Sequence, residues 1–248
     1  MTSVERLFSK HHLYHLYQPI YHLSGRKVIG YEALLRGESG ENPHELFRQA
    51  HARNQLFELD TLSLSAAISS YFHSGDRDEL LFVNVFPSTL AADAFPSFVE
   101  SICQKTGRFA RRIVFEINET VEDGKIWKDD IIPQRIAALR QLGFLTAMDD
   151  VGEGYTTLKN VTLISPDYIK LDKFFSENLS KCEKKQKIVR LFAEFCEKDI
   201  GLILEGIERE EDLEKAVELG VELGQGYFLG KPAVLQERPG HYALSHKK

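Results

Sequence analysis

The sequence predicts an α/β barrel whose first strand runs antiparallel to the second. Eight short apolar, β-branched runs alternate with segments of helical period, and this alternation implies a parallel sheet. Only His22 to Lys27 separates the first two runs. A link this short suits a hairpin and cannot hold a crossover helix. At 248 residues, the chain also has the usual length of a barrel that folds as one unit.

The predicted elements divide the chain as follows. The strands are Tyr17–Tyr21, Val28–Leu35, Leu80–Val85, Arg112–Ile117, Phe144–Met148, Asp167–Leu171, Leu202–Leu204 and Leu223–Phe228. The helices are Pro43–Phe57, Leu62–Phe72, Phe98–Lys105, Ile131–Leu142, Lys184–Glu197 and Glu211–Leu219. We expect one barrel domain at 17–235, an N-terminal extension at 1–16 that leaves His15 exposed, and a polar tail at 236–248.

Composition narrows the classes of function. Thirty-one basic and 37 acidic side chains give a net charge of -6, the wrong sign for binding a nucleic acid polymer or an anionic membrane. Cys103, Cys182 and Cys196 have no paired spacing, which argues against a disulfide framework or a zinc site. The sequence shows no signal peptide and no run of about 20 apolar residues. We therefore expect a soluble, cytoplasmic protein.

Polar residues stand at or near the ends of the predicted strands, where a core strand should not carry them. They are Glu32, Asn84, Glu116, Asp149, Asp150, Lys170, Glu205 and Gln225. A lone acid after a strand is more often a helix cap or a loop ion pair. In a barrel, however, these strand ends converge on one face, and several carboxylates there resist ionising unless cations neutralise them.

The donor set of this face indicates hard metal ions. Carboxylates and one amide, without Cys or His, favour Mg²⁺ or Mn²⁺ over zinc. Asp149 and Asp150 are adjacent, so one carboxylate could bridge two ions, as in two-metal phosphodiester hydrolysis. Lys170 could hold the attacking water or neutralise transition-state charge, or it could merely balance Asp172.

Seven motifs occur in the order found in a known family. The first, Tyr31-Glu32-Ala33-Leu34-Leu35-Arg36, resembles the motif that names the EAL family. The others are Phe82-Val83-Asn84-Val85-Phe86-Pro87, Phe115-Glu116-Ile117-Asn118-Glu119-Thr120, Met148-Asp149-Asp150-Val151-Gly152-Glu153-Gly154-Tyr155, Ile169-Lys170-Leu171-Asp172, Glu205-Gly206-Ile207-Glu208 and Gln225-Gly226-Tyr227 closing with Lys231-Pro232. One such string is a weak signal, but seven in order are specific.

This resemblance implies a modified TIM-type (β/α)8 barrel with an antiparallel first strand. It also implies hydrolysis of one phosphodiester bond of cyclic di-GMP to linear 5′-pGpG, two Mg²⁺ or Mn²⁺ ions, inhibition by Ca²⁺, and a homodimer. The implied metal ligands are Glu32, Asn84, Glu116, Asp149 and Asp150. The implied catalytic residues are Lys170, Glu205 and Glu32. The implied substrate contacts are Arg36, Leu34, Gln225 and Pro232. The resemblance also implies that Glu119, Gly152 and Gly154 stabilise the loop after the double aspartate.

The loop after the double aspartate departs from the family pattern. Family members with strong activity commonly carry Phe where this chain has Val151, a small residue at Glu153, and serines at Thr156 and Thr157. The departure keeps open a second reading, a receptor that binds cyclic di-GMP or a protein partner without turnover. A barrel glycosidase would explain paired acids but leaves Asn84 unexplained.

Overall fold

Eight strands close into a barrel in the computed structural model, which describes residues 13–37, 40–75, 77–118, 127, 130–152, 158–196 and 199–236. β1 pairs antiparallel with both β2 and β8, and the remaining neighbours pair parallel. The strands are β1 Leu13–His22, β2 Lys27–Gly37, β3 Leu80–Val85, β4 Ile113–Ile117, β5 Leu145–Val151, β6 Tyr168–Leu171, β7 Gly201–Leu204 and β8 Leu223–Gly224. The prediction of a barrel with an antiparallel first strand is confirmed.

Helices cover the outside of the barrel between the strands. They are α1 Pro43–Ala52, α2 Leu56–His73, α3 Pro87–Ala91, α4 Phe95–Thr106, α5 Ile131–Gln141, α6 Leu158–Ile164, α7 Lys173–Ser176, α8 Glu183–Cys196 and α9 Glu210–Glu218, with 3-10 turns at Gly107–Arg112 and Leu179–Lys181. In the part of the chain that the structure describes, no helix is long and apolar enough to cross a membrane.

Several predicted boundaries are wrong, and two of the errors have a clear local cause. The segment Pro43–Phe57 was expected to be one helix, but the chain turns after Ala52, where Asn54 adopts a left-handed φ of 56° that ends the helix. β8 was expected to run to Phe228 and ends at Gly224. It ends there because the backbone turns under Ile207, whose amide bonds to Gln225 O and whose carbonyl accepts from Phe228 N.

The barrel interior contains a layer of buried apolar side chains. This layer comprises Ile20, Phe82, Val114, Ala147, Ile203 and Leu223, with Tyr168 packed against it. A larger apolar cluster lies between the outer face of the sheet and the helices. Side chains alternate along each strand, so the residue two positions beyond an interior residue also faces the barrel axis, one layer higher.

β1 is longer than its apolar run indicated. It begins at Leu13, opposite Gly37 of β2, so His15 lies within the sheet instead of before it. The expectation that His15 is exposed is therefore wrong. Only 5% of His15 is accessible, and its Nε2 lies 3.1 Å from Ser63 Oγ on α2.

Asp60 of α2 is a buried acid that lies outside the predicted site. Its Oδ2 accepts a hydrogen bond of 3.1 Å from the backbone amide of Phe86, the residue before α3. Phe86 has no side-chain oxygen with which to cap that helix, so Asp60 supplies a cap from a neighbouring element. Burial raises the pKa of Asp60 from 3.8 to about 7, although the Phe86 amide acts in the opposite direction.

This raised pKa predicts a pH-dependent stability difference between the wild type and Asp60→Asn. The folded chain holds this proton to higher pH than the unfolded chain, so the contribution is complete below about pH 4 and is lost as the pH rises through about 7. Between about pH 5 and about pH 8 the wild type should lose about 3 kcal/mol relative to Asp60→Asn in urea unfolding with chelator present.

The control for this measurement is Glu58→Gln, because Glu58 is an exposed acid on the same helix. Its stability difference from the wild type should change by less than about 0.5 kcal/mol over the same range. A pH-independent difference for Asp60→Asn would contradict the assignment of Asp60 as a buried, protonated cap.

Candidate active site

The polar residues singled out in the sequence form the layer above the apolar interior. Six of the eight lie two residues beyond an interior residue, as Asn84 lies beyond Phe82 and Glu116 beyond Val114. The same spacing relates Asp149 to Ala147, Lys170 to Tyr168, Glu205 to Ile203 and Gln225 to Leu223. Strand alternation therefore brings residues from across the whole sequence to the carboxyl end of one barrel.

Lys170 is the centre of this layer. Its Nζ lies 3.3 Å from Glu32, 3.0 Å from Glu116, 3.1 Å from Asp149 and 2.9 Å from Glu205. The Lys170 side chain is 1% exposed. The alternative that Lys170 balances Asp172 does not fit, because the Asp172 carboxylate instead caps α7 through the amide of Phe174, at 2.8 Å. One ammonium group therefore serves four carboxylates.

The pKa shifts of the clustered residues reflect this excess of acids over cations. Burial raises the pKa of Glu116, Asp149 and Glu205, Lys170 opposes that effect, and the neighbouring carboxylates reinforce it. For Lys170, burial acts to lower the pKa, but the four surrounding acids outweigh it and raise the pKa well above its ordinary value. The lysine is thus held charged, whereas the three acids ionise fully only if further positive charge arrives.

Glu32 is the exception among the four acids. Burial acts to raise its pKa, but the charge of Lys170 and hydrogen bonds from two amides together lower it. Gln225 Nε2 donates to Glu32 Oε2 at 2.7 Å, and Asn84 Nδ2 donates to Glu32 Oε1 at 3.3 Å. Glu32 is therefore an anion already fixed in place by its neighbours.

A bulge in β5 presents the double aspartate. Met148 pairs with Ile169 and Val151 with Leu171, so β5 carries one extra residue at this point. Asp150 takes up the extra length with a left-handed φ of 50°, which Asp tolerates better than most residues. As a result, buried Asp149 and exposed Asp150 both bring a carboxylate oxygen within 4.8 Å of one from Glu205.

The short helix α7 packs against the two loops that carry these acids. Gly152 has a φ of 102°, and a Cβ on it would lie 2.4 Å from the ring of Phe175. Gly206 has a φ of 67°, and a Cβ there would lie 2.4 Å from Cβ of Lys173. Both glycines are required by backbone conformation and by close contact with α7.

The other predicted site residues lie around this cluster or outside the described residues. Leu34 and Arg36 follow Glu32 on the same face of β2, both are half-buried, and Arg36 donates to the carbonyl of Leu35. Pro232 is half-buried beside Ala233, which pairs with Tyr17 of β1. Glu119 and Gly154 lie outside the residues that the structure describes.

Two polar side chains of this region were missed in the sequence. Gln18 of β1 is buried opposite Glu32 and donates from Nε2 to Gly230 O at 3.1 Å. Asn118 follows β4, and its Nδ2 donates to Asn84 Oδ1 at 2.6 Å. A polar residue inside an apolar strand run was the available signal for Gln18, and the two-residue spacing from Glu116 was the signal for Asn118.

The cluster fits divalent metal ions. Its donors are carboxylate and amide oxygens, the ligands that hard cations prefer. Glu116 is fully buried, and its Oε2 has no hydrogen-bond partner among the described residues. A buried carboxylate oxygen left in this way is costly unless a cation meets it. Asp149, Asp150 and Glu205 supply the converging oxygens that such an ion requires.

Known proteins resemble this chain over most of its length. The probable cyclic di-GMP phosphodiesterase PdeI of Escherichia coli strain K12 is 31% identical over 230 residues, which cover 89% of this chain and 29% of PdeI. The cyclic di-GMP phosphodiesterase PdeA of Borreliella burgdorferi is 28% identical over 192 residues, 76% of this chain and 28% of PdeA. The chain thus spans less than a third of the length of either relative.

A solved structure and a family model agree with these relatives. The manganese and cyclic di-GMP complex of BlrP1 from Klebsiella pneumoniae at pH 6 has a TM-score of 0.80 at 26% identity, covering 89% of this chain and 56% of that one. The model of the family described as EAL domain matches residues 1–232. The chain belongs to the EAL domain family.

Proposed function

We propose that this chain hydrolyses one phosphodiester bond of cyclic di-GMP with the help of two Mg²⁺ or Mn²⁺ ions. The observation that carries the proposal is the cluster of four carboxylates, three of them buried and Glu205 partly so, around one lysine. Its acids outnumber its cation until metal ions bind. The names of the relatives PdeI and PdeA, and the BlrP1 complex with manganese and cyclic di-GMP, support the same activity and substrate.

The ions would be held by oxygen ligands from four strands. The proposed ligands are Glu32, Asn84, Glu116, Asp149 and Asp150. When bound, the ions supply charge that acidifies a water and offsets the charge of the phosphate. Ca²⁺ accepts more ligands at longer distances than Mg²⁺ or Mn²⁺, so we propose that it binds without supporting turnover.

Lys170 and Glu205 have different roles in this proposal. Lys170 keeps its proton, because its pKa is raised well above the ordinary value, so it serves as a hydrogen-bond donor and a fixed positive charge and not as a base. Glu205 is the most accessible of the four acids, with 17% of its side chain exposed against 9% or less for the others. It is therefore the best placed to take a proton from water entering from solvent.

The rim of the cluster would orient the substrate. Arg36 presents a guanidinium group suited to a phosphate, and Leu34, Gln225 and Pro232 are the other proposed contacts. Water adds across one phosphorus–oxygen bond, and the 3′ oxygen leaves with a proton, so that cyclic di-GMP becomes linear 5′-pGpG. Glu119, Gly152 and Gly154 are proposed to hold the loop after the double aspartate.

Incubation of the purified chain with cyclic di-GMP tests this function. Chromatography should show 5′-pGpG with Mg²⁺ or Mn²⁺, and none with Ca²⁺ or a chelator. Glu32→Ala and Glu32→Gln should each reduce turnover by more than about 100-fold, because loss of a mere outer partner of a metal site already costs about 10- to 100-fold. Bound but uncut cyclic di-GMP would place the wild type in the receptor class, and retained turnover in Glu32→Ala would refute the site.

Lys170→Met tests the charge balance of the site separately from turnover. Removing the ammonium group leaves four carboxylates without a buried cation, which should lower the unfolding free energy by about 3 kcal/mol at about pH 8 in chelator. Protonation of the acids should lessen the loss at lower pH. Mn²⁺ should raise the melting temperature of Lys170→Met more than that of the wild type. Lys184→Met, on the exposed face of α8, is the control and should match the wild type. Equal stability of Lys170→Met and the control would contradict this account.

We also propose that the chain forms a homodimer through exposed apolar side chains of α6 and α8. On α8, Ile188, Leu191 and Phe195 follow helical spacing and are 39%, 58% and 50% exposed. On α6, Leu158 and Leu163 are 53% and 51% exposed. Exposed apolar groups of this kind are typical of protein interfaces.

Light scattering over a range of concentrations tests the dimer. The wild type should approach twice the chain mass of 28.3 kDa, whereas Leu191→Glu should remain at the mass of one chain. Glu194→Gln changes an exposed charge on the same helix and should leave the dimer intact. A wild type that stays at the mass of one chain throughout would rule the dimer out.

A further inference from the structure

Asn118 lies where β4 leaves the barrel, two residues beyond Glu116. Its backbone amide still bonds to Val85 O of β3, at 3.4 Å, so the chain remains aligned with the neighbouring strand. Its Nδ2 donates to Asn84 Oδ1 at 2.6 Å, and Asn84 Nδ2 donates in turn to Glu32 Oε1 at 3.3 Å. The three side chains form a chain of hydrogen bonds across β2, β3 and β4.

These two hydrogen bonds fix the orientation of the Asn84 amide, with its nitrogen towards Glu32 and its oxygen towards Asn118. Only the oxygen of an amide can ligate a cation, whereas the NH₂ group would repel it. Glu32 accepts a hydrogen bond from the nitrogen of Asn84, and Asn118 donates one to its oxygen. Without the donor on Asn118, half of this restraint is lost and the amide can turn about its last torsion.

The oxygen of Asn118 itself is a second observation. Asn118 Oδ1 is buried and has no hydrogen-bond partner among the described residues. Among the described residues, the side chain therefore makes one hydrogen bond, the donation from Nδ2 to Asn84 Oδ1, while an acceptor buried without a partner lowers stability. The donor end of the amide, directed at Asn84, is what accounts for an asparagine at this position.

We infer that Asn118 is a positioning residue of the divalent-cation site, which holds the Asn84 amide with its oxygen towards the bound ion. Second-layer partners of this kind typically change metal affinity by about 10- to 100-fold when they are removed. The inference rests on the proposed function only in that a divalent ion binds at Asn84; it does not require that cyclic di-GMP is cleaved.

Mn²⁺ titration of the metal-free chain, followed by calorimetry, provides the test. Asn118→Leu keeps the number and branching of the side-chain heavy atoms and removes both hydrogen-bonding groups. Its Kd for Mn²⁺ should rise by about 10-fold or more. Its melting temperature in chelator should equal or exceed that of the wild type. Asn118→Gln, which retains the amide, should recover part of the affinity, and Asn118→Ala replaces the leucine variant if that variant does not fold.

A double-mutant cycle with Asn84→Leu shows whether Asn118 acts through Asn84. If it does, Asn84→Leu/Asn118→Leu should bind Mn²⁺ within about 2-fold of Asn84→Leu alone. Additive losses, an Asn118→Leu affinity within about 2-fold of the wild type, or a wild type that binds no Mn²⁺ would each overturn the inference. Failure of the wild type to cleave cyclic di-GMP while it binds Mn²⁺ would refute the proposed function and leave this inference standing.

Discussion

The ammonium group of Lys170, which is 1% exposed, is the one cation within reach of four carboxylates among the described residues, and much of the site follows from that imbalance. Each acid lies within 3.3 Å of the same nitrogen, so none of them has a cation of its own. Buried anions are tolerated only when they are paired or protonated. Bound cations at the carboxyl end of the barrel would supply the positive charge that these acids lack.

The barrel makes this imbalance possible by holding the groups rigidly. The polar layer lies directly above the apolar layer of the interior, and each strand from β3 to β8 contributes to the apolar layer and carries a polar-layer residue two positions further on. The antiparallel β1 closes the barrel between β2 and β8. Its pairing with β2 places Gln18 directly opposite Glu32.

Much of this organisation could be read from the sequence, for physical reasons that also explain the errors. Asn84, Glu116 and Lys170 could be identified because each is a polar residue near the end of an apolar run. Buried strand positions are otherwise apolar, so such a residue stands out. Helix and strand ends were harder to place. The break at Asn54 depends on one left-handed residue, and the end of β8 depends on hydrogen bonds to Ile207, which follows the neighbouring strand β7 and is distant from β8 in sequence. The pairing of Asn118 with Asn84 depends on the alignment of two strands, which local patterns do not specify.

The bulge in β5 gives the two adjacent aspartates different tolerance to mutation over evolutionary time. Asp149 lies in extended, buried backbone, whereas Asp150 adopts a left-handed conformation that asparagine and glycine share but alanine does not readily enter. A relative with Asn at the second position would keep the local shape and a side-chain oxygen and lose the charge, whereas one with Gly would keep the shape and lose the oxygen as well. In a relative with Ala or Val there, the backbone itself would have to change, so sequence drift at these two neighbouring positions carries different structural information.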